Sequence, residues 1–347
     1  SPILKCEIME LIGVSFLNKS IVGCLMIVSR TPLRVSFCGG GSDLKEYYSS
    51  SENGGRVTSV ALNKHVYVTV NSRFDDSIRV SYSEMEIVDD FEKLNHQLVK
   101  EAMRMTGVTK GIEITTIADI PSKGSGLGSS SSVTVGLLHA LHCFAGRNPK
   151  PSQLAEEACK IEIEILGQTI GKQDQYAAAF GGCNHIIFNP DGSVSVEKLS
   201  TDLSLKNNFA LLYTGITRLA NDILKDQNER TGENRGSLDL LVEQAKVARN
   251  MILEKNHSGL ANLLSETWNC KKELSPNVTN VEIDLMFKGL FDCGVHGAKL
   301  LGAGGGGFIL FEGNNDVMNK VQSLFTENII LPLEIDYIGS CILYSDG

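Results

Sequence analysis

The chain reads as an α+β protein on three grounds. Segments alternating apolar and polar residues crowd its first half, as antiparallel strands with one covered face do. Long helical patterns fill its second half, beyond the apolar run Phe209-Ala-Leu-Leu-Tyr-Thr214. Between them, Ile120-Pro-Ser-Lys-Gly-Ser-Gly-Leu-Gly-Ser-Ser-Ser-Ser132 leads from a strand pattern directly into a helical one. At 347 residues the chain has room for two domains or one large one, with an ample core.

Residues 1–26 read as an N-terminal extension outside the core fold. Their apolar run Ile21-Val-Gly-Cys-Leu-Met-Ile-Val28 is too short to span a bilayer and meets the next strand without a cleavage site, which makes Met26 a candidate start. Residues 27–37 form a strand in which Pro32 marks an edge or a bulge. It empties into Cys38-Gly-Gly-Gly-Ser-Asp43, where consecutive glycines let another body approach. Asp43 then stands at the lip of a loop, or it is the N-cap of a helix through Tyr47 and Tyr48. Strands are expected at 57–61, 65–71, 77–81, 85–88 and 111–118, with an amphipathic helix at 91–105.

Helices follow at about 126–145 and 152–166. Glu162 either reaches a metal or faces solvent beside Lys160. Asp174, in Gly171-Lys-Gln-Asp-Gln-Tyr176, is a site carboxylate or the N-cap of a short helix. Residues 183–199 suggest a hairpin around Asn189-Pro-Asp-Gly192. The second half begins with the strand at 209–214, followed by helices at roughly 217–230, 236–255, 258–272, 280–293 and 315–327. His139 and His142, three apart on one helix, are expected to be packed or capped rather than metal ligands.

The glycine-serine stretch is the functional signal. Opening onto a helix, it presents unpaired N–H groups and the positive end of a dipole to an oxyanion, typically phosphate. It is not a P-loop, because Ser129 stands where a Lys must follow the last glycine. Its G-x-G-x-G spacing also misses the dinucleotide fingerprint, and Asn148-Pro-Lys-Pro151 lies where the ribose acid belongs. Pro121, Leu127 and the helix that follows at once argue against a flexible linker. Gly304 to Gly307 forgo about 2–4 kcal/mol, at roughly 0.5–1 kcal/mol each, which implies close approach to a ligand or to the first loop.

A formal charge of −9 argues against nucleic acid or an anionic membrane as partner. The nine scattered cysteines, without a C-x-x-C pair, read as reduced thiols in a cytoplasmic protein.

Three glycine-rich motifs in this order resemble those of the GHMP kinases: Arg30-Thr-Pro-Leu-Arg-Val-Ser-Phe-Cys-Gly-Gly-Gly-Ser-Asp43, the stretch 121–132, and Gly302-Ala-Gly-Gly-Gly-Gly307. Within that family, Gly171-Lys-Gln-Asp-Gln-Tyr-Ala-Ala-Ala-Phe-Gly-Gly182 and Tyr213-Thr-Gly-Ile-Thr-Arg218 look like the D-glycero-D-manno-heptose 7-phosphate kinases, with fucokinases related. The resemblance implies an N-terminal domain at 27–200 with a left-handed βαβ crossover and a ferredoxin-like C-terminal domain at 201–347. It implies ATP and Mg2+ as cofactors and a sugar phosphate as partner, and it allows a homodimer.

By the same resemblance the nucleotide is held by Pro121, Lys123, Gly124, Ser125, Gly126, Leu127, Gly128, Ser129, Ser130 and Ser131, and the metal by Ser130 and Glu162, with Glu164 the rival carboxylate. Asp174 is the catalytic base or orienting group, with Arg34 beside it. Gly40, Gly41, Ser42, Asp43, Lys172, Gln173, Arg218, Gly304, Gly305 and Gly306 are implied to meet the substrate. Lys123, Lys172 and Arg218 are candidates for a substrate phosphate, or ordinary surface charges. The rivals from other classes are a non-catalytic sensor on this scaffold and a Rossmann-type oxidoreductase.

Overall fold

A computed structural model describes residues 25–120, 124–199, 205–217 and 220–346. Pro121, Lys123 and Arg218 of the expected site, and residues 1–24 of the expected extension, lie outside this range. Leu25 and Met26 do not stand apart from the fold: Leu25 donates its amide to Ser72 Oγ, and Met26 opens the first strand.

That strand, β1 (Met26–Cys38), runs antiparallel to β2 (Gly55–Ser72) along nearly its whole length. The register shifts between Pro32 and Leu33, leaving Asn63 and Lys64 of β2 unpaired. Proline cannot donate to a ladder, so the bulge falls at that residue. β2 divides the sheet. Its first part pairs with β6 (Cys183–Phe188), which pairs in turn with β7 (Val194–Leu199), and its second part pairs with β5 (Ile112–Ala118). β3 (Ile78–Ser81) lies parallel to β5 and carries β4 (Met85–Val88) at the edge. The last strand, β12 (Cys341–Ser345), returns from the C-terminus to pair with β1.

The second sheet contains β8 (Phe209–Tyr213), β9 (Ala298–Leu300), β10 (Phe308–Glu312) and β11 (Ile330–Pro332). Its antiparallel order β11-β8-β10-β9 is that of a ferredoxin-like βαββαβ unit. Phe209 and Leu211 of β8, with Phe308 and Leu310 of β10, face the main core. Ala210, Leu212, Ile309 and Phe311 face a second core, where Trp268 stacks on Phe287 with centroids 5.1 Å apart. A sheet buried on both faces has no polar side, and these strands read as unbroken apolar runs for that reason.

Helix α3 (Ser129–Phe144) is buried nearly all round and packs on β1 and β2. It approaches so closely that a Cβ on Gly136 would lie 3.0 Å from Thr31 Oγ1. The helix expected at 91–105 begins only at Gln97, where the His96 ring accepts from Val99 N; a short 3-10 turn at Phe91–Lys93 precedes it. Helix α4 (Pro151–Cys159) continues through a wider π turn at Lys160–Ile165, with Leu166 N reaching back five residues to Ile161 O. From the second half, α8 (Arg235–Leu253) lies against β1 and β2, and α9 (His257–Leu274) packs between α8 and β9.

Candidate active site

Gly124, Gly126 and Gly128 have φ of 72°, 73° and 74°, left-handed values that only glycine adopts without cost. Gly128 sits at the N-cap position of α3 with no side chain capping the helix, so amides at the start of the helix stay open toward the cleft. The third glycine motif fixes this loop from behind. A Cβ on Gly302 would lie 2.5 Å from Gly126 Cα, and one on Gly307 would lie 2.4 Å from Ser125 O. Leu127 anchors the loop rather than lining the cleft: its side chain is buried in the core, and its carbonyl accepts from Arg34 N at 3.0 Å.

Arg34, on β1, is buried and forks onto Asp174: Nε donates to Oδ1 at 2.7 Å and Nη2 to Oδ2 at 2.9 Å. Its remaining arm donates to Gly126 O at 2.6 Å, tying the carboxylate to the glycine loop. Asp174 is the second residue of helix α5 (Gln173–Phe180) and does not cap it; Lys172 holds that position. Asp43 is not a cap either, since Leu44 precedes the helix Lys45–Tyr48. The Asp43 carboxylate accepts from the Gly41 amide at 2.9 Å and from Gln173 Nε2 at 3.0 Å. Burial, with Asp174 nearby, pushes the Asp43 carboxyl above its ordinary range.

The π turn carries Glu162 into the interior at 0% exposure, while Glu164 two residues on faces solvent. Ser130 Oγ donates to Glu162 Oε1 at 3.2 Å, and Gln175 Nε2 to Oε2 at 2.6 Å. Burial raises the carboxyl to about 7, against the lowering effect of these hydrogen bonds. A hydroxyl and a buried carboxylate at the mouth of an anion-binding loop are hard oxygen donors of the kind magnesium takes, so the residues fit that ion.

Beside these groups lies a cleft of about 460 Å³, within the usual range for a small-molecule site; Glu162 is not on its wall but meets Ser130, which is. Of the expected residues, Arg34, Gly40, Gly41, Asp43, Gln173 and Asp174 line it, as do Gly124 to Ser131 apart from Leu127. Others expected to meet substrate do not. Ser42 is buried beneath the loop, donating to Gly39 O and Arg56 O. Lys172 is drawn away, donating to Gly192 O at 2.9 Å over the Tyr48 ring. Gly304 and Gly305 meet Val278, and Gly306 meets Ile216. His139 and His142 are engaged with Ser340 and Glu157.

Lys271, which also lines the cleft, escaped the sequence reading. It is 6% exposed, donates to Gly302 O, and is held well below the ordinary lysine range by burial and by the charges of Lys299 and Arg34. Its signal was present: Leu260, Leu264, Thr267, Lys271 and Leu274 follow one buried stripe of α9, and a lysine on such a stripe is out of place. Lys299, deeper still, donates to Ser36 O and Phe37 O, each at 2.8 Å.

Residues 94–182 match the model of the GHMP kinases N terminal domain. The chain is 30% identical over 306 residues to the D-glycero-alpha-D-manno-heptose 7-phosphate kinase of Campylobacter jejuni, covering 82% of this chain and 88% of that one. It is 26% identical over 310 residues to the bifunctional fucokinase/GDP-fucose pyrophosphorylase of Arabidopsis thaliana, covering 80% of this chain and 29% of that protein. A crystal structure described as a D-glycero-D-manno-heptose 1-phosphate kinase from Bacteroides thetaiotaomicron superposes with a TM-score of 0.76 at 24% identity, covering 92% of this chain and 99% of that one. With its glycine motifs, its two sheets and this relationship to the Campylobacter enzyme, the chain belongs to the GHMP kinases, phosphotransferases that act on an alcohol.

Proposed function

We propose that the chain is an ATP- and magnesium-dependent sugar kinase transferring the γ-phosphate to the anomeric hydroxyl of D-glycero-D-manno-heptose 7-phosphate. The product is the 1,7-bisphosphate, a precursor of GDP-heptose for bacterial surface glycans. The observation that carries this reading is the Arg34–Asp174 fork, set directly beside the open helix terminus at Gly128 in one cleft. The likeness to the Campylobacter heptose kinase supports the choice of acceptor.

In this reading the open amides of Gly124–Ser131 hold the triphosphate. Ser130 and Glu162 hold magnesium, which when bound neutralises charge on the phosphates. Asp174 takes the proton of the acceptor hydroxyl as its oxygen bonds to the γ-phosphorus and the bond to ADP breaks. Arg34 fixes the carboxylate in position through its two hydrogen bonds. Asp43, oriented by Gln173 and Gly41, accepts from sugar hydroxyls.

The test is a comparison of kcat/KM for heptose 7-phosphate, fucose, galactose and mevalonate with ATP and magnesium. The reading expects the heptose phosphate to lead. A lead for fucose would move the assignment to the second reading, which the Arabidopsis relative supports.

A further inference from the structure

Behind the cleft lies a small inner chamber of about 20 Å³. Arg34, Gly40, Gln173 and Lys271 line both spaces, whereas Ser36 and Lys299 line only the chamber and Asp174 only the cleft. A space of this size takes one oxygen atom, as a single water needs ~10–15 Å³. A phosphate or a carboxylate does not fit.

Leu241 aside, the side chains on its walls are polar, and two of their atoms are unsatisfied. Ser36 is 5% exposed, and its Oγ has no hydrogen-bond partner; Gln173 Oε1 is likewise buried and unpartnered. A native interior rarely leaves such atoms unpaired without a ligand or water to meet them. Opposite them Lys271 has spent one N–H on Gly302 O, and Lys299 two on backbone carbonyls. The chamber therefore offers N–H donors from the lysines together with two vacant acceptors. That is the complement of a hydroxyl group, which accepts one hydrogen bond and donates another.

We propose that this chamber receives the acceptor hydroxyl vicinal to the one phosphorylated, with its oxygen on Lys271 Nζ and its proton on Gln173 Oε1 or Ser36 Oγ. Arg34, which forks onto Asp174, also lines the chamber, so the group entering it is taken from a carbon next to the reacting one. Resting on the anomeric transfer proposed above, this is the hydroxyl on C2, and the chamber selects acceptors that carry it.

Gly40 offers a clean probe. It has no left-handed φ, and an added Cβ would stand 3.5 Å from Gln173 Nε2 and 3.7 Å from Ser36 Oγ, narrowing the chamber without a clash. The experiment measures kcat/KM for heptose 7-phosphate and for its 2-deoxy counterpart, in wild type, Gly40→Ala and Ser36→Ala. Wild type is expected to favour the hydroxylated acceptor by about 10- to 100-fold. In Gly40→Ala that ratio falls toward unity, and in Ser36→Ala it falls several-fold, because the hydroxylated acceptor loses more than its 2-deoxy counterpart. A merely structural defect would lower both rates and keep the ratio. Equal use of the two acceptors by wild type, or an unchanged ratio in both variants, overturns the chamber assignment alone. Transfer to neither acceptor overturns the heptose reading and the assignment with it.

Discussion

Asp174 is where the chemistry of the site is most exposed to test. Its two oxygens are held by Arg34 at 2.7 and 2.9 Å, so Asp174→Asn keeps the shape while removing the charge and the proton acceptor. Transfer should fall by at least ~10²-fold while nucleotide affinity changes less than about twofold. Single-turnover kinetics and nucleotide titration separate the two, and near-normal turnover would remove the base role. Glu162→Gln keeps the bond from Ser130 but removes the ionisable carboxyl from a buried position. The magnesium concentration for half-maximal rate should rise at least about tenfold, and an unchanged magnesium dependence would show that the metal sits elsewhere. Asp174 stood out in the sequence between two amides, whereas Glu162 was singled out by the family resemblance, with Glu164 its rival. Lys271 did not stand out, because its meaning comes from a helix face and from Lys299 and Arg34, far away in the chain.

At the level of elements, the glycine motifs were legible and their reasons were not. The run 304–307 was expected to approach either a ligand or the first loop; Gly307 presses on Ser125, whereas Gly304 and Gly306 meet Val278 and Ile216. Gly307→Ala, at φ 92° and with its Cβ 2.4 Å from Ser125 O, should displace the nucleotide loop. ATP affinity is expected to drop about tenfold or more, with stability lower by ~1–3 kcal/mol; binding titration and urea unfolding measure the two. The π turn was unreadable for a related reason. A helix was expected straight through 152–166, and only tertiary packing widens it at Lys160–Ile165 to turn Glu162 inward.

Two buried histidines give these elements a pH response. His185 meets Thr58 between β6 and β2, and His139 joins α3 to Ser340; burial lowers each to about 4. The unfolded chain takes up these protons near 6.5 while the folded one refuses them. Their contribution to stability should therefore be complete above about pH 6.5 and be lost toward pH 4, by up to ~1.4 kcal/mol per pH unit for each histidine, while the raised carboxyls of Glu162 and Asp43 act in the opposite direction. Urea unfolding across this range checks it. His185→Gln should flatten the slope, and an equally steep slope in the variant would contradict the assignment.

Over the whole molecule, the α+β class and the order of elements were readable, because period-two and helical patterns are local. The return of β12 to β1 was not, since it pairs residues some 300 positions apart. We propose that the two domains divide near residue 200, with β12 reaching back across that division. No helix among the described residues is long and apolar enough to cross a membrane. The cleft draws Asp43 and Asp174 from the first half and Gln227, Lys271 and Gly302 from the second.

The central claim is that this cleft passes a phosphate from ATP to a sugar hydroxyl at Asp174. Phosphorus NMR of the products formed from ATP, magnesium and heptose 7-phosphate tests it most directly. The account predicts ADP and a new glycosyl phosphate signal in equal amounts. Unchanged ATP, or inorganic phosphate in place of the sugar ester, would contradict it.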